Sequence, residues 1–148
     1  MHLGALNLSD LMISLWCRMI NCTLPDDQSM WTWAVLQCCE IWHDHGKAIA
    51  GALHYLPSSF DRPPRNIAEK LTSGYKAWEF LLYMYGLGPG LLYGVLPEAY
   101  YTNYCKLVSG MQFMNQHKIS LSNLWDMCLV LCDFVTEFES LYCQCLLT

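Results

Sequence analysis

Leu8, Leu11, Met12, Leu15, Trp16 and Met19 recur at intervals of three and four residues. That spacing gathers all six side chains on one side of an α-helix and would scatter them over both faces of a strand. The same spacing returns along much of the 148-residue chain, and no alternating apolar–polar run of useful length competes with it. No internal repeat is visible. The expectation is an all-α protein, a bundle of about five helices, with residues 1–148 forming a single helical piece.

Two N-terminal helices are expected within residues 1–54, the first over 5–21 and the second over 28–54. Asp27 stands where an N-cap belongs, after a break that contains Pro25. Trp31, Val35, Cys38, Ile41, Trp42, His45 and Ile49 carry the second stripe, weakened by Gly46 and Gly51. Residues 55–65 read as a Pro-rich connector, because Pro63 and Pro64 remove two backbone donors and favour extended conformations before them. The C-terminal helices occupy 66–148. A third helix is expected over 66–85, broken near Gly74 and stopped by Gly86-Leu87-Gly88-Pro89-Gly90. A fourth runs from Pro97 to about Gln116, Pro suiting a first helical position. A fifth covers 121–145 behind a Ser120 cap, lined by Leu124, Cys128, Leu131, Val135, Phe138 and Tyr142.

Composition narrows the function classes. Apolar residues make up 54% and charged residues 14%, which excludes a disordered chain. The formal net charge is 8 − 13 = −5, against a free-standing nucleic-acid binder. No stretch of roughly 18 uncharged apolar residues exists to span a membrane; Asp10, Arg18, Glu79, Lys106 and Asp133 cut the longest apolar runs. Nine Cys cannot all pair within one chain, and no secretory signal opens it, so reduced, intracellular and mainly buried thiols are expected. Charge is uneven. Lys47 to Lys76 holds five basic residues and two acids, whereas Asp126 to Thr148 holds four acids and no Lys or Arg. The run Arg62, Arg65, Lys70 and Lys76 is where a phosphate contact would be sought, with a solvated helix face as the plainer reading.

Other clusters read as structural. Cys39 and His43 lie i, i+4 beside Cys38, Asp44 and His45, but zinc asks for four ligands, and Cys143-x-Cys145 makes a poor second pair. Buried thiols with a solvated or capping His are expected instead. Gly86–Gly90 lacks the Lys-Ser/Thr of a phosphate loop and follows no strand. Cys105 and His117 are twelve residues apart, roughly 18 Å along one helix, too far for a nucleophile and its base. The aromatics fall mostly on helix stripes and read as core, although Tyr100, Tyr101 and Tyr104 cannot all face one way.

Four blocks resemble the transposase of CACTA (En/Spm-like) DNA transposons in its fungal form. They are Met1-His2-Leu3-Gly4-Ala5-Leu6-Asn7-Leu8, Trp31-Thr32-Trp33-Ala34-Val35-Leu36, Tyr55-Leu56-Pro57-Ser58-Ser59-Phe60-Asp61-Arg62-Pro63-Pro64-Arg65-Asn66 and Tyr75-Lys76-Ala77-Trp78-Glu79-Phe80-Leu81-Leu82-Tyr83-Met84-Tyr85-Gly86-Leu87. The third and fourth are the most specific, and the similarity runs in order through nearly the whole chain. The resemblance implies an interior piece of a cut-and-paste transposase. Such enzymes have a ribonuclease-H-like core in which three carboxylates hold two divalent metals, usually Mg²⁺, for attack on phosphodiester bonds. A helical region is inserted between the second and third acids, and this chain resembles that insertion.

The resemblance also implies site residues. The first acid of the family is expected far upstream, and the second just ahead of a Met-His pair like Met1-His2, so the chain is expected to begin after it. The third acid falls in Leu131-Cys132-Asp133-Phe134-Val135-Thr136-Glu137-Phe138-Glu139, with Glu139 the better match and Glu137 the alternative. Glu139 is expected on the apolar face, four residues after Val135 and three before Tyr142. Where related plant proteins carry a Cys-or-Asp-x-x-His signature, this chain has Tyr75-Lys76-Ala77-Trp78 and no ligand pair. The implied function is a non-catalytic interaction or scaffold piece, needing no cofactor by itself. Its partners would be the transposase core or sibling subunits, DNA only in the full protein, and no membrane; its location would be the nucleus if the parent protein is functional. The alternative is part of an active transposase, cleaving and transferring DNA strands, with Glu139 as a metal-binding acid.

Overall fold

The computed structural model describes residues 3–23, 26–56 and 64–143. Among them every regular element is a helix and no strand occurs. None of these helices is long and apolar enough to cross a membrane. The described residues group into two compact units, those up to Val95 and those from Leu96.

In the first unit a π-helical turn, Leu3–Leu8, runs into α1, Ser9–Trp16. Met12, Leu15 and Trp16 are buried, as the stripe requires, and Ile13 beside them is buried too, whereas Leu11 and Met19 lie outside the core. The helix stops short of the expected residue 21 because Arg18 takes a left-handed φ of 60°. Met19 N–H then donates back to Ser14 O and Arg18 N–H to Leu15 O, which closes the last turn in a Schellman arrangement. Gly is the usual residue there; Arg18 instead donates Nη1 to Gln37 Oε1 at 2.9 Å.

The single long helix expected over 28–54 is divided. Asp27 does cap, accepting from Ser29 N–H at 2.8 Å, but it caps only the 3₁₀ turn Gln28–Met30. Trp31 and Trp33 are both buried and stack with ring centroids 5.3 Å apart. A pair two residues apart cannot face one way on a helix, so the backbone extends at Trp31. A second 3₁₀ turn, Val35–Gln37, precedes α2, Cys39–Gly51, and a further turn covers Ala52–Tyr55.

Beyond the connector, whose residues 57–63 lie outside the described ones, come α3, Ile67–Lys70, and the 3₁₀ turn Leu71–Ser73. The break falls at Gly74, as expected, with φ 92°. Then α4, Ala77–Leu82, passes through a π turn, Tyr83–Leu87, into α5, Gly88–Leu91. The Gly-Pro run therefore does not stop the helix. Pro89 sits in the first turn of α5, where its missing N–H costs little. Tyr83, Met84 and Leu92 complete the core with Leu36, Ile49 and Ile67.

The second unit is an α-hairpin, α6 over Glu98–Met114 and α7 over Leu121–Tyr142. Pro97 immediately precedes α6, and Ser120 Oγ caps α7 by accepting from Asn123 N–H. Tyr104, Leu107, Val108, Met127 and Phe134 are buried here. Tyr100 packs edge-on against Tyr142 at 5.2 Å, while Tyr101 remains half-buried.

Gly46 shows what sequence spacing alone conceals. A Cβ there would lie 2.8 Å from Ala68 Cβ and collide with Asn66 Oδ1, the oxygen that caps α3 by accepting from Ala68 N–H. A Cβ at Gly51 would meet nothing within 4 Å. Two identical substitutions should thus differ in sign. Gly46→Ala is expected to destabilise by about 1–3 kcal/mol through overpacking and loss of the cap. Gly51→Ala should be neutral or stabilise by up to about 1 kcal/mol. Urea denaturation of both variants checks this.

Candidate functional site

Glu79 is the most constrained polar residue, with 0% exposure in an otherwise apolar stretch of α4. Its Oε1 accepts from Arg65 N–H at 3.1 Å and Arg65 Nε at 2.8 Å. Its Oε2 accepts from Arg65 Nη2 at 2.6 Å and from Lys76 N–H at 2.8 Å, the latter being one half of a capping box. Burial pushes this carboxyl up; the hydrogen bonds from Arg65 and from the Lys76 and Arg65 backbone outweigh it and bring it down to about 2. Arg65 Nη2 also donates to Gly74 O at 2.9 Å. The same residue was a candidate phosphate contact on sequence grounds, and its fork is occupied by a carboxylate. Of the other basic candidates, Lys70 lies half-buried on α3, Lys76 is exposed at the head of α4, and Arg62 falls outside the described residues.

The acids of α7 have separate fates. Glu137 receives Lys106 Nζ at 2.5 Å and Asn103 Nδ2 at 3.3 Å. The Lys106 ammonium and the Asn103 amide hold its carboxyl below the usual range. Asp133, one turn earlier, lies 4.0 Å from the same ammonium. Glu139 is exposed, whereas its spacing from Val135 and Tyr142 had placed it on the apolar face. The discrepancy has a simple origin: Val135 is itself exposed, so the face Glu139 shares is apolar and open to solvent. These three acids do not fit a divalent-metal site. The pair one turn apart already shares a cation, the lysine ammonium, and Glu139 projects elsewhere around the helix. Among the described residues no three His, Cys, Asp or Glu are placed to hold a metal.

Cys39, Glu40, His43, Asp44 and Lys47 line an open groove of about 410 Å³ on α2. Cys38 and Cys39 are exposed, contrary to the expectation of buried thiols, His43 is exposed in line with a solvated His, and Lys47 pairs with Asp44 at 3.0 Å. Cys128, Cys132 and Cys143 are exposed as well. Cys17 is half-buried, and desolvation pushes its thiol up to about 12. His45 turns away from this cluster into the core, where its Nε2 lies 2.8 Å from Tyr83 Oη and its ring faces Tyr83 edge-on at 5.6 Å. Burial lowers it to about 4.

Sequence spacing missed the Arg65–Glu79 and His45–Tyr83 pairs. The signal for Glu79 was present: an acid three residues after Lys76, at the N3 position of a helix start and amid Trp78, Phe80, Leu81 and Leu82. Nothing in the sequence joined His45 to Tyr83, which lies 38 positions away. Comparison with known proteins adds no relative: no protein-family model, no curated protein and no solved structure matches the chain.

Two acid-sensitive windows follow. His45 titrates near 6.5 when unfolded and near 4 when folded, so the unfolded chain binds the extra proton and stability falls as pH drops from 6.5 to 4. Glu79 titrates near 4.5 unfolded and near 2 folded, so its contribution is full above 4.5 and is lost as pH falls towards 2. Urea midpoints measured across pH should lose their slope in the upper window in His45→Gln and in the lower window in Glu79→Gln. At neutral pH Glu79→Gln should cost about 2–3 kcal/mol, less than a fully buried pair, since Arg65 remains 42% exposed.

Proposed function

We propose that this chain serves as the helical insertion region of a CACTA-like DNA transposase and works as an interaction or scaffold piece. The four sequence blocks support the family, and the all-helical architecture is compatible with the insertion. The observation that carries the scaffold role is the solvent-facing apolar surface of α7, where Leu121 is 78% exposed, Trp125 71% and Leu129 63%. Surface of that kind, gathered on one helix face, marks a contact for another protein. The partner in this reading is the ribonuclease-H-like core or a sibling subunit. Mg²⁺ and strand cleavage belong to that core, DNA is met only in the full protein, and the nucleus is the site of action.

The test uses the purified chain with duplex DNA carrying transposon ends, in Mg²⁺ or Mn²⁺. No nicking or strand joining is expected. Genomic sequence around the coding region should also encode an acid ahead of Met1 and a ribonuclease-H-like core. Cleavage by the chain alone, abolished in Glu139→Gln, would overturn the scaffold reading in favour of an active transposase part with Glu139 as metal ligand. Flanking sequence that encodes no such core would remove the family assignment.

A further inference from the structure

The solvent face of α7 has a charge pattern as well as an apolar one, and the two together specify a partner. A helix advances 100° per residue, so Leu121, Leu124, Trp125, Leu129 and Val135 fall within an arc of about 140°. All five are exposed by 40% or more. Asp126 and Asp133 are exposed and stand seven residues apart on the border of this arc beside Leu129. Two turns separate them, about 10.5 Å along the axis.

Those two carboxylates lack cationic neighbours on their own helix, because α7 contains four acids and no Lys or Arg. The ammonium on α6 that approaches Asp133 to 4.0 Å is committed to Glu137 at 2.5 Å. Glu139 adds a further exposed carboxylate towards the C-terminal end of the stripe. A second copy of this helix would set acid against acid, and a nucleic acid would set phosphate against acid; both are repelled.

We propose that the solvent face of α7 docks a basic amphipathic helix from a partner protein, its apolar side against Leu121, Trp125 and Leu129 and its Lys or Arg residues against Asp126 and Asp133. The apolar anchors supply the hold, with Trp125 at the centre, and the two aspartates set register and orientation. A partner helix with basic residues seven apart on one flank meets both at once. This deepens the scaffold reading by naming the chemistry of its partner, and it holds whatever family the chain comes from.

The experiment titrates the full 148-residue chain into a fluorescently labelled synthetic helix with Leu and Ile along one face and Lys along its flanks. Fluorescence anisotropy is read at low and high salt. Saturable binding is expected. Trp125→Ala combined with Leu129→Ala should weaken it about tenfold or more. Asp126→Asn combined with Asp133→Asn should weaken it about threefold to tenfold and flatten its salt dependence. All four side chains are exposed, so both variants should keep the parent circular dichroism. Equal binding of a scrambled Lys-rich peptide, or of the same helix with Glu flanks, would overturn the proposal. So would a concentration-dependent dimer, seen by sedimentation, that excludes the peptide. Failure of the genomic test with success of this one would remove the transposase and leave the docking surface.

Discussion

The first unit is organised around a carboxylate that has no access to water. Glu79 could not be buried in α4 unpaired, because removing an ion from solvent costs several kcal/mol. Its four lone-pair positions are met by two backbone and two side-chain donors from Arg65 and Lys76. That requirement shapes the backbone on both sides. The segment before α3 must pass within hydrogen-bond reach of α4, and the chain must reverse between them. Gly74, at a φ that other residues adopt only with strain, makes the reversal and turns its own carbonyl to Arg65. The edge-on Tyr75–Phe80 pair, with ring centroids 4.9 Å apart, flanks the same carboxylate in sequence. Downstream, the fixed start of α4 sets the phase of Tyr83 and Met84, and thereby where the hydroxyl that meets His45 stands.

The hairpin of the second unit depends on a different compromise. Gly110 lets α6 and α7 come close, since a Cβ there would lie 2.7 Å from Leu131 Cγ. Asn103 is fully buried, and its amide reaches across to Phe134 O at 3.0 Å. A polar side chain bonded to a carbonyl of the neighbouring helix fixes the register between the two helices more tightly than apolar contacts do, because a slip by one turn leaves the amide unpaired. Lys106, one turn further along α6, repeats the device with Glu137.

Much of this was legible from periodicity. The all-helical class, the break at Gly74, the cap at Ser120 and the position of α6 all follow from spacing and end signals. The failures share one cause: periodicity reports that a residue is apolar and not what it packs against. Trp31 and Val35 fitted a helical stripe, yet stacking of Trp31 on Trp33 demanded an extended backbone. Pro89 looked like a stop, but a π turn had already interrupted the regular ladder before it. On α7 the apolar positions span more than half the circumference, so spacing alone could not tell the packed side, Met127 and Phe134, from the open side, Trp125 and Val135. For the same reason spacing could put Glu139 on an apolar face with Val135 without showing that this face is the open one. The ion pair of Arg65 with Glu79 needed a contact across 14 positions that no local rule supplies.

Among the acids of α4 and α7, close pairing with a cation separates the structural from the solvent-facing. Glu79 and Glu137 are claimed by Arg65 and Lys106, and both are thereby structural. Asp126 and Glu139 stay on the solvent side of α7, next to apolar side chains that water solvates poorly, and Asp133 shares that border at the edge of Lys106's reach. A helix face that combines uncovered apolar area with uncompensated negative charge is ill-suited to phosphate and well suited to a basic protein surface. Under the proposed function this divides the labour by unit. Contact with DNA would be confined to the basic stretch of the first, where Arg65 is already engaged and Lys70 and Lys76 remain. Contact with protein would fall to the second, whose acids disfavour nucleic acid and, in the proposed docking, would orient the partner.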